Sequence, residues 1–473
     1  ESLMPVTGAQ TGFVLSQGKY YADFANLAQE RASAKALNIQ LGEEGFVLLK
    51  NDGVLPLDSA TTKVSMFGFR AANIMMGGGG SGSGRPGQYG VPKTSLEDGM
   101  KQAGFDVNER LLSFYSTKSA EVKPTDIPDS IAYTYDTYSD AALVVVSRSG
   151  SEGRDEVTYG YAQDENADPN AHMLELTDTE KDLIRYVKAN FPKVILIVNS
   201  SNAMELAEVN ASKTEDNLGV DAILWVGHTG NDGAAAIGNI LSGKVSPSGK
   251  LPVTFYHSVD ELPKFEDYTM RGRTYRYFQG EALYPFGYGL SYTSFEYSDL
   301  KAGPAGVTLT GTNTGSVAGA EIVQLYVAKP DAKIFRPAQE LKGFAKVFLN
   351  PGESREVTIP LDDKAFRYWN VLTNHWEVEG GCYELRVGAS CEDIRLRAVI
   401  TVEGTAAPNP YEGKDLLHYQ TAEVRKITDA EFEALLGRPI PESKIKIDRN
   451  MTLGELSHGR SPLGWEASAV LGH

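Results

Sequence analysis

Three short apolar runs rich in β-branched residues, Ala141–Val146, Val194–Val198 and Ala222–Val226, decide most of what this chain can become. Each has the length of a strand and no polar side to turn toward water, so each must be covered on both faces. Helical marks lie between and after them. Thr177-Asp178-Thr179-Glu180 has the spacing of a capping box, Leu183, Ile184 and Val187 give the next segment one apolar stripe, and Ala234–Leu241 follows the third run. Strands alternating with helices imply a mostly parallel sheet sandwiched between helical layers.

The first run ends abruptly at Ser147 and Arg148, before a small-residue turn, Ser149-Gly150-Ser151, and then Glu152. That puts Glu152 just past the carboxyl end of a strand, the edge of an open α/β sheet where ligands bind. A glutamate there, flanked by Arg154 and Asp155, is by default a solvated loop residue. It becomes a candidate only through the rest of the chain. The following Val157–Ala171 is polar and reads as a long rim loop, with Tyr159, Tyr161 and His172 able to stack on or bond to a ligand.

Residues 1–20 lack periodicity and read as an arm. From Asp23 to Leu41 the spacing of Leu27, Ala34, Leu37 and Leu41 predicts an amphipathic helix with that stripe inward. Strands are expected over Glu44–Asn51, closed by the turn Asn51-Asp52-Gly53, and over Val64–Phe69. Next comes MMGGGGSGSG, Met75–Gly84. Gly77, Gly79 and Gly82 form a dinucleotide fingerprint on paper, with Glu97 and Asp98 downstream, but the last glycine must open a helix and Ser83–Gly87 continues as loop. A loop bordering a different ligand, with Gly82, Ser83 and Arg85 within its reach, is the better reading. From Val307 the grammar changes to alternating strands with turns at the spacing of a β-sandwich. The fold expected is therefore multidomain: an arm over 1–29, an α/β sandwich with a mostly parallel sheet over 30–295, an all-β sandwich over 296–404, and a tail over 405–473. In that tail Thr428-Asp429-Ala430-Glu431 caps a short helix stopped at Gly437.

With 473 residues and a net charge of −17 the chain has room for several cores and no basic face for nucleic acid. A neutral or cationic ligand is expected. No apolar run reaches the roughly 18 residues that span a bilayer, and Glu1 opens without a signal pattern, which leaves a soluble protein of the cytoplasm or one secreted to the cell surface. A cleaved or trimmed leader is compatible with a chain that does not start with Met. Cys382 and Cys391 are too few for a zinc site and fit either a local bridge or two buried thiols.

Several longer strings carry a resemblance. EEGFVLLKNDGVLPL (Glu43–Leu57), SPSGKLPVT (Ser246–Thr254) and YPFGYGLSY (Tyr284–Tyr292), the last preceded by Tyr275-Arg276-Tyr277-Phe278, resemble glycoside hydrolase family 3 in ordered succession. The likeness covers residues 30–404, and Ser246 departs from the usual Asn. It implies that the all-β part is fibronectin type III-like and that the activity is β-glucosidase-like: exo-acting, retaining removal of terminal non-reducing β-D-glucosyl residues, without cofactor or metal. Retention needs two carboxyl groups, a nucleophile and a proton donor. In the family the donor often sits in an SGEGY-like loop, which Ser149–Asp155 resembles with one small residue added and Arg154 where an aromatic is common. The resemblance thus assigns Glu152 as general acid/base, with Glu156 its competitor, and Arg154, Gly82, Ser83, Arg85 and Tyr159 as sugar contacts. Asp155 is too close to Glu152 to be the nucleophile. That residue belongs to a (β/α)8 barrel for which this chain has no room, so the expected partners are a carbohydrate and a barrel domain or polypeptide placed after the fibronectin-like part, as in permuted members; a homodimer is compatible. The alternative is a non-catalytic carbohydrate-binding or assembly module.

Overall fold

The structure is a computed structural model; it describes residues 24, 26–78, 93–148, 150, 159–160, 168–263, 270, 272–278, 280–420, 426–440 and 466. In chain order the first part runs α1 (Leu27–Gly45), β1 (Val47–Asn51), β2 (Lys63–Phe67), α2 (Phe69–Ala72), α3 (Leu96–Ala103), β3 (Asp106–Val107), α4 (Glu109–Ser116) and α5 (Asp129–Ala132). It continues through β4 (Ala141–Arg148), α6 (Asp178–Asn190), β5 (Val194–Ser200), α7 (Ala207–Asn210), β6 (Ala222–Trp225), α8 (Ala234–Leu241) and α9 (Thr274–Tyr277).

The six strands form one sheet in the order β1-β6-β5-β4-β2-β3, parallel except for β1, which runs antiparallel to β6. Every residue of β4 and β5 is buried, because successive side chains go to opposite faces and both faces are covered. Val144 and Val146 join Leu111, Leu183 and Val187 of α4 and α6 in one core. Leu143 and Val145 join Leu96, Met100, Ile237 and Ile240 of α3 and α8 in the other. The helices start where their caps say: Ser95 with Asp98 and Thr177 with Glu180 form reciprocal capping boxes.

The first helix differs from expectation. Leu27, Leu37 and Leu41 are 58, 56 and 62% exposed, and only Gly42 of α1 is buried. The helix docks on α8 by another face, where Asn38 donates to the Thr229 carbonyl and accepts from the Asp232 N–H, and Gly42 lies against Ala236. A close approach through glycine, alanine and hydrogen bonds outweighs the leucine stripe. It also carries the helix through Gly45, so that the strand begins at Val47.

The second part pairs β7 (Phe295–Gly303), β8 (Gly306–Asn313) and β11 (Ser354–Pro360) in one sheet; β9 (Gly319–Ala328), β10 (Glu340–Leu349), β14 (Gly381–Gly388) and β15 (Ile394–Val402) form the other, and β12 (Arg367–Asn370) and β13 (His375–Val378) make a ribbon. Val307, Leu309, Val323, Leu325, Leu385 and Val387 fill the space between the sheets. This is the all-β sandwich expected.

The quoted strings knit these layers together. Leu251 donates its N–H to the Tyr288 carbonyl and accepts from the Gly287 N–H, both at 2.8 Å. A Cβ on Gly249 would stand 2.3 Å from the Phe46 carbonyl oxygen, and one on Gly289 2.1 Å from the Gly249 oxygen, so only glycine fits either place. Gln324 of β9 then donates its amide to the carbonyls of Gly287 and Ala389, and Tyr275 stacks on Phe286 with centroids 4.3 Å apart. Arg276 reaches Glu340 at 2.6 Å. The aromatic-basic cluster is packing between sandwich and sheet, as its composition suggests. Cys382 is exposed, Cys391 is buried, and neither is in a disulfide.

A second compact unit gathers residues 333–335, 369–377 and 406–473. Its described helices are α10 (Leu417–Gln420) and α11 (Asp429–Leu436). Thr428 and Glu431 make the capping box of α11, and Gly437 ends it in the left-handed conformation at φ 74°, as the sequence indicates.

Candidate active site

The chain leaves β2 toward β3 on one side of the sheet and leaves β4 toward β5 and β6 on the other. The carboxyl ends of β2 and β4 therefore flank a topological switch point, the edge at which ligands bind in open α/β sheets. The glycine loop follows β2; the loop with Glu152 follows β4. Gly68, just past β2, turns at φ 97° with room for no Cβ, which would meet the Val145 carbonyl oxygen at 2.7 Å. The described ends of both loops converge: a Cβ on Gly78 would lie 3.9 Å from the Gly150 carbonyl oxygen and 3.9 Å from Cε1 of His228.

His228 and Asn199 complete this edge, and sequence reasoning passed over both. Asn199, near the end of β5, is fully buried; it accepts from the Met75 N–H at 2.6 Å and donates to the carbonyls of Met75 and Gly227 at 3.1 and 2.6 Å. Gly230 donates its N–H to the Met76 carbonyl at 2.8 Å. The root of the glycine loop is thus tied to the loop after β6. His228 sits on that second loop, half-buried, and burial lowers its pKa, which favours the neutral imidazole. Its Nε2 is buried and has no hydrogen-bond partner among the described residues. Position past the carboxyl end of a parallel strand was the signal available for both.

Of the site residues expected from the sequence, Glu152, Arg154, Gly82, Ser83 and Arg85 lie outside the described residues, as does Glu156. Tyr159 is described and 60% exposed. Its ring meets that of His172 edge-on at 5.9 Å, and the two residues form an isolated antiparallel bridge. The glycine loop and the Glu152 loop thus meet at their described ends, with Tyr159 on the return toward His172. Beside it lies a depression of about 110 Å³ lined by His172, Glu175, Asp178 and Lys181. That is small for a ligand pocket, and the switch point is the better candidate.

Glu205, after β5, is a described carboxyl whose pKa is raised by burial. It accepts the Val259 N–H at 2.6 Å, which marks it as structural. Among the described residues no group of three or more His, Cys, Asp or Glu side chains could hold a metal, and no described helix is long and apolar enough to cross a membrane.

Residues 46–292 match the glycosyl hydrolase family 3 C-terminal domain. The chain belongs to glycoside hydrolase family 3. A fibronectin type III-like domain matches residues 321–391. Among relatives of this family, beta-glucosidase A of Butyrivibrio fibrisolvens is 32% identical over 436 residues, covering 78% of this chain and 51% of its own length. The beta-glucosidase of Ruminococcus albus is 29% identical over 90% of this chain and 48% of its own length. An exo-alpha-(1->6)-L-arabinopyranosidase of Bifidobacterium breve is 31% identical over 78% of the chain and 49% of its own length. Among solved structures, beta-glucosidase 3B from Thermotoga neapolitana in complex with alpha-D-glucose superposes with a TM-score of 0.68 at 31% identity, over 82% of this chain and 56% of that one. The chain spans about half the length of these relatives.

Proposed function

We propose that this chain supplies the acid/base half of a retaining exo-β-glucosidase, with Glu152 as proton donor and a (β/α)8 barrel supplying the nucleophile. One observation carries the reading: the loop with Glu152 leaves β4 at the switch point of the sheet, and its described end at Gly150 meets the glycine loop at Gly78 and His228. Membership of the family supplies the reaction class. The names of the Butyrivibrio and Ruminococcus relatives favour a β-glucoside; the arabinopyranosidase, just as similar, points to a sugar preference set outside this half.

In the first step a barrel carboxylate attacks the anomeric carbon while the glycosidic bond breaks, and the leaving oxygen takes the proton of Glu152. In the second, ionised Glu152 removes a proton from water, whose oxygen attacks the same carbon and frees the barrel carboxylate. Two inversions give retention, and they require the carboxyl groups about 5–5.5 Å apart. Arg154, Gly82, Ser83, Arg85 and Tyr159 would border the departing sugar.

The test is to assay the chain alone and with a family barrel on an aryl β-D-glucoside and on cellobiose. We expect turnover only in the combination. There, Glu152→Ala slows cellobiose by about 10²–10⁴-fold and activated phenolates far less, because these depart without a proton; azide restores deglycosylation. Robust turnover by the chain alone would overturn the two-part reading. Equal loss on both substrates without azide rescue would move the assignment to Glu156.

A further inference from the structure

We infer that Arg148, paired with Glu180, is the positioning residue for the acid/base, holding both ends of the segment that carries Glu152. The inference rests on the Glu152 reading. Arg148 is the last residue of β4 and is 0% exposed, and Glu180 is buried in the first turn of α6. The guanidinium binds the carboxylate through two donors, Nη1 to Oε1 and Nη2 to Oε2, each at 2.8 Å. Three further bonds go to backbone: Nε donates to the Met173 carbonyl at 2.5 Å, Nη1 to that of Ser147 at 2.8 Å, and Nη2 to that of Glu175. Ser147 lies where the chain leaves the sheet. Met173 and Glu175 lie where it returns. One side chain therefore fixes the exit and the re-entry of residues 149–172 to each other and to α6.

The charge pair itself is not required for stability. A buried ion pair loses in desolvation about what it gains in attraction, and an apolar pair of similar volume commonly serves as well. What an apolar pair cannot do is bind three carbonyls in fixed directions, as the planar fork of arginine does. A long segment free at its base would spread its carboxyl over many positions, and a proton donor must stay within hydrogen-bond reach of the leaving oxygen. Charge matters as well. A guanidinium four residues before the donor, left unpaired, would favour the donor's ionised form, whereas the Glu180 carboxylate cancels that field. On the return leg Glu175, whose carbonyl Arg148 binds, accepts the His172 N–H through its carboxylate, and both act electrostatically on Glu205.

The decisive variant is Arg148→Met/Glu180→Gln, made in the assembled enzyme. It removes both charges together, and glutamine keeps the capping box of α6. We expect it to fold with a lowered melting temperature, because the carbonyls of Ser147, Met173 and Glu175 lose a donor, to lose at least about 10-fold in kcat on cellobiose, and to lose no more than about 3-fold on an activated aryl glucoside, the signature of a misplaced proton donor. Hydrogen exchange should quicken at residues 149–172 and stay unchanged in β5. A second variant, Glu180→Gln alone, leaves the arginine charge in place and should move the basic limb of the cellobiose pH profile down by about half a unit. Equal slowing of both substrates, or parental kinetics in the folded double variant, overturns the positioning role while Glu152→Ala still reports on the acid/base. If Glu152→Ala itself shows no leaving-group dependence, the acid/base reading falls and the role of Arg148 falls with it.

Discussion

Asn199 uses all of its side chain on backbone. Its oxygen and both amide hydrogens meet main-chain groups of the loops after β2 and β6, which makes it the buried node of the candidate site. Replacing it by leucine preserves the volume but strips partners from the Met75 N–H and the Gly227 carbonyl. Each orphaned group costs about 1–3 kcal/mol, so Asn199→Leu should lower unfolding stability by about 3 kcal/mol in urea titration. A loss under about 0.5 kcal/mol would mean that the loops are held by other contacts. Such a residue was hard to read from sequence: an asparagine after an apolar run looks like any turn former, and only the strand order, invisible in one sequence, reveals which loops it faces. Glu152 could be singled out because its neighbours form a motif. His228 could not.

Capping chemistry made helices legible where packing did not. Thr177 with Glu180 and Thr428 with Glu431 announce α6 and α11 by spacing alone, whereas the leucine stripe of α1 pointed to the wrong face because Asn38 and Gly42, not leucines, make its contact. Two strands of the sandwich carry no clear mark in the sequence for a related reason. In β10 burial alternates from Phe344 to Leu349, but exposed Phe344 and Phe348 are as apolar as buried Val347 and Leu349, so the residues do not mark its faces; β7 is mostly exposed and broken near Asp299, whose φ is 56°. The α11 cap also makes a prediction. Burial alone would raise the Glu431 pKa, but hydrogen bonds from the Thr428 N–H, from the His418 ring and N–H, and from the Thr428 hydroxyl outweigh it and bring it to about 2. A depressed folded pKa means that the stabilisation is complete above the ordinary carboxyl range and fades as pH falls through the folded value. Exchange protection in α11 should therefore hold at pH 5 and decline between about 4.5 and 2. Glu431→Gln should flatten that decline; an unaltered acid profile would sink the assignment.

At the scale of the whole molecule, sheet and sandwich share an interface too specific for beads on a string. Gln324, Tyr275 and Arg276 each cross it with buried or half-buried polar bonds, and separating the layers would leave those groups without partners. Calorimetry should show the two layers melting in one transition, and Gln324→Ala should lower its midpoint; two well-separated transitions would show that the layers are energetically independent.

The strand β1 carries a consequence for synthesis. Its neighbours in the finished protein are β6 on one edge and Leu290 on the other, where the Leu290 N–H donates to the Leu48 carbonyl at 2.9 Å. A ribosome adding about 5–20 residues per second needs roughly ten to fifty seconds to travel from Leu48 to Leu290. Throughout that interval the run Phe46-Val47-Leu48-Leu49 has no completed place to go. The nascent chain thus presents one of its most apolar segments early and completes its burial late.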